Sequence, residues 1–206
     1  GGGGGGGLLR QGLLNDKAIM CLRRNPPEYV AAQTLLDEAI AVTIPCFDIE
    51  KIETYLLGVK DNEIIAKLAR IAYETGERDK AIYILEKLAG NIRKRVVESI
   101  EKARSLLFVL SYLAIYYDED NKRREQLAVC DEGMKIGAEY QLCKNLPTFA
   151  FNKACALYVL DGDKDKIKNL LYQAYYGSLL HGDNYRAGII CKLAETRFGV
   201  GIKTFG

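Results

Sequence analysis

"IAYETGERDKAIYILEKLA" (residues 71–89) runs an apolar segment into a Thr75-Gly76 break, then a charged start and a second apolar segment. Small or apolar residues sit at Leu68, Ala69 and Ala72 before the break and at Ala81, Leu85 and Leu88 after it, the spacing of a buried helix face. A glycine just past one such run, followed by charged residues opening the next, is how one helix stops and another begins. The stretch predicts a helical hairpin. Whether it is a unit of something larger depends on recurrence.

It recurs. With Asn121 at the turn, Leu113, Ala114 and Tyr117 precede and Gln126, Cys130 and Gly133 follow at the same offsets. With Gly162 at the turn, Ala154, Cys155 and Tyr158 precede, and Ile167, Leu171 and Ala174 follow. A weaker first copy turns at Pro27, with Ala32, Leu36 and Ala39 behind it. The turns lie 49, 45 and 41 residues apart, wider than the roughly 34-residue period of a strict tetratricopeptide unit. A generic bundle also places small residues where helices cross, but it has no reason to repeat their offsets. One pair cannot bury its own apolar face, so such units stack. The pattern predicts an all-α, tetratricopeptide-like helical-repeat solenoid over residues 8–206, with about four helical pairs. A capping helix from about Asp183 to Thr196 closes it, apolar at Ile189, Ile190 and Leu193.

The punctuation agrees. The prolines at 26, 27, 45 and 147 fall at helix boundaries, and strand-like alternation is absent. Asp48 is placed to cap a helix running to about Leu57, and Asp61 or Asn62 to cap the next. The opening "GGGGGGG" (1–7) lacks the spaced glycines of a phosphate loop. Glycine loses the most freedom on ordering, so the tract reads as a linker, a tag remnant or unassigned residues, with the natural chain expected to begin before Leu8.

Composition narrows the function classes. A 49% hydrophobic and 27% charged chain is that of a folded soluble protein. A net charge of +2, from 29 basic and 27 acidic residues, gives no electrostatic case for nucleic acid or a membrane surface. No run approaches the roughly 20 apolar residues of a membrane span, and no secretion signal opens the chain. Six scattered cysteines without C-x-x-C read as reduced thiols in a cytoplasmic protein.

Enzymatic and metal chemistry find little support. His181 is the single histidine, at a turn, and no set of ligands has metal spacing. "DGDKDK" (161–166) fails as a calcium loop because Lys166 and Tyr172 stand where glycine and glutamate are required. The basic runs "NIRKR" (91–95) and "NKRREQ" (121–126) lie among acidic neighbours and read as solvated helix ends. Tyr172, Tyr175 and Tyr176 share a helix face and read as core packing with hydroxyls at the rim. The expectation is no catalytic residue, no metal and no cofactor.

Beyond the repeat pattern, specific stretches carry a resemblance. They are "EAIAVTIPCFDIEKIETYLL" (38–57), "NEIIAKLARIAYETGERDKAIYILEKL" (62–88), "LAVCDEGMKIGAEYQLCKNLPTFAFNKACALYVLDGDKDKIKNLLYQAYY" (127–176) and "AETRFGV" (194–200). Together they resemble the C-terminal tetratricopeptide-like domains of Gram-positive Xre-type (Cro/repressor-like) helix-turn-helix transcriptional regulators, a group similar to the peptide-pheromone-sensing regulators. The resemblance implies a short peptide or partner protein as ligand, a homodimer, and DNA contact only through an N-terminal domain absent from this chain. An adaptor repeat with no DNA-binding partner domain is the competing expectation.

In such an array the first helix of each pair lines a concave groove. Fixed offsets place Leu14, Lys17 and Cys21, then Glu63, Ala66 and Arg70, then Phe108, Ser111 and Ile115, then Phe149, Asn152 and Ala156 along it. A peptide held there needs amide partners and apolar pockets. Lys17 and Arg70 suit a carboxylate, Phe108 and Phe149 suit pockets, Asn152 suits a peptide bond, and Ser111 is a further groove position. Asn152 has a second reading as a bridge between helices.

Overall fold

The computed structural model describes residues 4–203. Every regular element among them is helical: α1 (Gly4–Leu22), α2 (Tyr29–Thr43), a 3-10 helix (Ile49–Thr54), α3 (Val59–Glu74), α4 (Arg78–Arg93), α5 (Ile100–Glu119), α6 (Arg123–Tyr140), α7 (Leu146–Leu160), α8 (Lys164–Leu180) and α9 (Asn184–Phe198). They form two compact units, Gly1–Val97 and Glu98–Gly206.

The predicted hairpin is α3–α4. Gly76 stands at its turn with φ +97°, a conformation that costs a residue with a Cβ but not glycine. Asn121, Gly162 and Gly182 hold the same place between later helices, at φ +58°, +71° and +71°. At Gly76 and Asn121 the next N–H reaches back to close the preceding helix, Glu77 to the Ala72 carbonyl at 2.8 Å and Lys122 to that of Tyr117 at 2.9 Å. Repetition of one turn chemistry is why the offsets in sequence repeat. The positions they mark are buried: Ala69, Ala81, Leu85, Leu88, Ala114, Cys130, Ala154, Leu171 and Ala174 are each fully enclosed. Leu68 is half-buried, and Tyr158 departs furthest, 54% exposed where its counterparts Ala72 and Tyr117 are 5% and 4%.

In the first unit α1 packs on α2, α2 on α3, and α3 on α4. A buried polar node fixes three of these helices. The Gln11 amide donates to the Ala39 carbonyl at 3.1 Å and to Asp61 Oδ1 at 2.9 Å. Asp61 lies inside α3 rather than ahead of it, where the sequence reading put a cap. From there its other oxygen accepts the Gly58 N–H at 2.8 Å, capping the helix from its third position. Asp48 does act as a cap, accepting from the Glu50 N–H at 2.9 Å, but the helix it opens is the short 3-10 segment and ends at Thr54. That segment packs on α4, where the buried Asn91 amide donates to the Ile52 and Tyr55 carbonyls at 2.9 and 2.7 Å. This inserted piece accounts for the wide spacing of the first two turns. Helix α1 begins at Gly4, four residues before the expected start, and Gly7 faces Val42 of α2. Residues 1–3 of the glycine tract lie outside the described residues.

In the second unit successive helices pack from α5 to α9, and α5 also meets α7. Ser99 caps α5 through the Lys102 N–H at 3.1 Å, and Asp163 caps α8 through those of Asp165 and Lys166. A core of Ala150, Ala154, Leu157, Ile167, Leu170, Leu171, Ala174 and Tyr175 is closed by Ala187, Ile190 and Ala194 of α9. That helix starts after its Asp183 cap and runs two residues beyond the predicted Thr196. Tyr172, Tyr175 and Tyr176 form a ring cluster, and the Tyr172 hydroxyl accepts the Lys203 N–H at 3.3 Å. All six cysteines are free.

Candidate functional site

The first helices of the pairs in the second unit are α5 and α7, followed by the cap α9. Helix α5 exposes a stripe at every third or fourth residue: Arg104, Phe108, Ser111, Ile115 and Glu119. Phe108 and Ser111 are half-buried in it, where the offsets place them. Tyr112 joins Phe108 edge to face at 5.2 Å and continues to Tyr116 at 5.9 Å. The Ser111 hydroxyl donates to the Phe108 carbonyl at 2.7 Å within the helix.

Helix α7 does not follow. Phe149, Asn152 and Ala156, expected along the groove, are 1%, 5% and 0% exposed. Phe149 lies in the core against Gly133 of α6; a methyl added at Gly133 would sit 2.5 Å from its ring. The Asn152 carboxamide is already occupied, accepting from the fully buried Gln126 amide at 3.0 Å and donating to the Thr148 carbonyl at 2.8 Å. Asn152 thus bridges α6 and α7, its second reading. From the other side Arg186 of α9 donates to the Thr148 hydroxyl at 2.7 Å. With neighbours over both flanks, α7 leaves Leu146, Phe151 and Lys153 half-buried and is exposed at its end, at Tyr158, Val159 and Leu160.

Lys17 and Arg70 belong to the first unit. Lys17 is exposed on α1 and Arg70 is half-buried on α3. Beside Arg70, burial pushes the Lys67 ammonium below its ordinary range, partly offset by Glu63 and Asp16. The six anticipated residues differ in unit and in exposure. Two lie in the first unit, two on the α5 stripe, and two behind the surface of α7.

A cluster that the offsets missed joins three helices of the second unit. Asp118, on the last turn of α5, accepts from Arg197 of α9 through both oxygens at 2.8 and 3.0 Å. Arg123 of α6 pairs with the same carboxylate. Burial alone would raise the pKa of Asp118, but the hydrogen bonds from Arg197 and Arg123 outweigh it and hold the carboxyl below its ordinary range. Aromatic rings surround Arg197. Phe198 meets Phe151 at 6.1 Å and Tyr158 at 5.2 Å, both edge to face, and the guanidinium lies 6.0 and 5.8 Å from the Phe151 and Phe198 rings. Tyr158 gave no sequence signal, since Tyr117 holds the same offset and is buried. Pairing Asp118 with a residue 79 positions away left no signal.

This arrangement brings aromatic rings of α7 and α9 together with the Arg197 guanidinium. Among the described residues no cluster of His, Cys, Asp and Glu is placed to hold a metal ion, and no helix is long and apolar enough to cross a membrane.

No family model matches the sequence, and no curated protein matches it. Solved structures do. Bacillus thuringiensis PlcR, solved with the peptide PapR7 and DNA, is similar at a TM-score of 0.60 and 14% identity, over 89% of this chain and 69% of PlcR. The competence regulator ComR of Streptococcus vestibularis, solved with its signalling peptide XIP, is similar at 0.58 and 14% identity, over 84% of this chain and 89% of ComR. A Podospora anserina kinesin light chain protein with nearly identical tetratricopeptide-like repeats is similar at 0.56 and 14% identity, over 92% of this chain and 95% of its own. The fold is an all-α, tetratricopeptide-like repeat.

Proposed function

We propose that this chain is the peptide-sensing and dimerisation domain of a bacterial transcriptional regulator. The observation that carries the reading is its likeness in fold to two regulators solved with bound peptides. The resemblance of its sequence to the Xre-type regulators supports the same reading. A short peptide lies along the first helices of the second unit, with Phe108 and Ser111 of α5 among its contacts; on the first unit, taken by itself, Lys17 and Arg70 are the candidate carboxylate partners. Phe149 and Asn152 act from behind, holding α7 in place. DNA is reached only through a separate helix-turn-helix domain, the working form is a homodimer, and the site of action is the cytoplasm. For peptide binding to regulate, the ligand must favour one arrangement of the helices over another.

A second reading is a repeat adaptor that grips a partner protein. The likeness to the kinesin light chain repeats, which spans nearly all of both chains, favours it. Mass spectrometry of the protein purified from its own host discriminates the two. A co-purifying short peptide, together with helix-turn-helix sequence in the intact chain, supports the sensor. A stoichiometric partner protein and no peptide supports the adaptor. Light scattering tests the dimer, and a monomer at working concentration removes that part of the proposal.

A further inference from the structure

The Asp118–Arg197 cluster has more positive charge than its own carboxylate balances. One carboxylate serves two guanidiniums, and the two arginines are held differently. Arg123 also donates to the Gln126 and Asn121 side-chain oxygens at 3.0 and 2.9 Å, so it is fixed on α6. Both hydrogen bonds that Arg197 makes among the described residues end on Asp118. Arg197 is also the more accessible, its side chain 36% exposed against 13% for Arg123. A planar guanidinium presents paired donors that match a carboxylate. The Phe198 ring lies between the Arg197 guanidinium, at 5.8 Å, and Tyr158, whose ring meets Phe198 at 5.2 Å and which is exposed where its counterparts Ala72 and Tyr117 are buried. An arginine and an exposed aromatic on either side of one ring suit a residue that joins an apolar side chain to a negative charge.

We propose that Arg197, with Phe151, Tyr158 and Phe198, forms the subsite for a carboxylate-bearing residue of the bound peptide. The peptide carboxylate takes the Arg197 donors now held by Asp118, and Asp118 stays with Arg123. An apolar peptide side chain rests against Tyr158 and Phe198. This subsite rests on the peptide-binding reading above. It specifies the chemistry of one ligand residue, which the fold likeness does not. Because Arg197 of α9 bridges to Asp118 of α5, occupancy also exchanges the ion pair that links the capping helix to the first helix of the unit.

The test uses the purified chain and two synthetic hexapeptide pools, one with free C-terminal carboxylates and one amidated. Each pool is subdivided by the presence or absence of Asp and Glu. Retained peptides are read by affinity-selection mass spectrometry and their affinities by fluorescence. The expected result is retention of carboxylate-bearing peptides with an apolar neighbour, weakened about tenfold or more in Arg197→Gln and in Tyr158→Ala. Arg197→Lys keeps the charge but loses the fork, so it should recover only part of the affinity. Tyr158→Ala alters an exposed side chain, and circular dichroism of each variant verifies the fold. Loss confined to amidated peptides identifies the C-terminus as the source of the carboxylate; loss confined to pools without Asp and Glu identifies a side chain. Peptides retained equally by wild type, Arg197→Gln and Tyr158→Ala overturn the subsite and leave peptide sensing intact. Failure of the wild-type chain to retain any peptide overturns both.

Discussion

Helices α5 and α7 open successive pairs, are each followed by a turn residue of positive φ, and present different things to solvent. On α5 the offsets that mark a groove-facing stripe fall on Phe108, Ser111 and Ile115, and the stripe is accessible. On α7 the same offsets fall on Phe149, Asn152 and Ala156, all buried. Helical phase alone is common to both. Coverage is not: α6 presses Gly133 against Phe149, and α9 reaches Thr148 through Arg186. A repeat pattern therefore states which side of a helix faces its partner, but the neighbours beyond the pair decide which remaining side is open.

The sharpest way to break this contrast is to truncate one aromatic on each helix. Phe149→Ala should lower stability by about 3–5 kcal/mol, the range for emptying a packed aromatic site, whereas Phe108→Ala should cost under about 1 kcal/mol. Urea unfolding of both variants checks it, and equal losses would refute the assignment of Phe149 to the core. Gly133→Ala tests the same crossing from the α6 side. The added methyl meets a buried ring that has nowhere to move, so a loss of about 2–3 kcal/mol is expected. Trimming that ring in the double variant with Phe149→Leu should make the added methyl cheaper to accept, a coupling that a double-mutant cycle measures.

Asp118→Asn addresses the tie between α5 and α9. It should cost about 2 kcal/mol at neutral pH, the scale of charged hydrogen bonds lost at a partly buried site. The pH dependence has a definite sign. The folded carboxyl titrates below its ordinary range, so its contribution is complete above pH of about 4 and fades as pH falls through the lower folded value. Thermal melts should therefore show a shallower acid decline in Asp118→Asn than in the parent chain. An unchanged slope would mean that the arginines do not stabilise this carboxylate.

The smallest effects separate the two polar residues at matched offsets. Asn152→Ala strands the buried Gln126 amide and should cost about 1–2 kcal/mol. Ser111→Ala removes only an in-helix hydroxyl bond and should stay within about 0.5 kcal/mol. Calorimetry distinguishes them, and the reverse order would place Asn152 at the surface after all.

The array was legible because its causes are local. Turn residues such as Gly76 and Asn121 and small crossing residues such as Ala81 and Ala154 act within one pair, so they leave a period in the sequence. The 3-10 segment was half legible: Asp48 announced a cap, but the early end at Thr54 depends on the docking of the segment on Asn91 of α4. The candidate site was least legible. Phe108 and Ser111 lie where helical phase puts them, while the interior position of Phe149 and the meeting of Asp118 with Arg197 depend on how distant helices stack. Tyr158 did not mark the place either, because Tyr117 holds the same offset and is buried; the difference lies in the neighbouring helices.

The measurement that bears most directly on a peptide-binding face is hydrogen–deuterium exchange of the chain with and without the retained peptide pool. The account predicts added protection in α5 and in the last turns of α7 and α9, around Phe108, Tyr158 and Arg197, with α6 and α8 unchanged. Protection confined to α6 and α8, with the first helices unaffected, would contradict it.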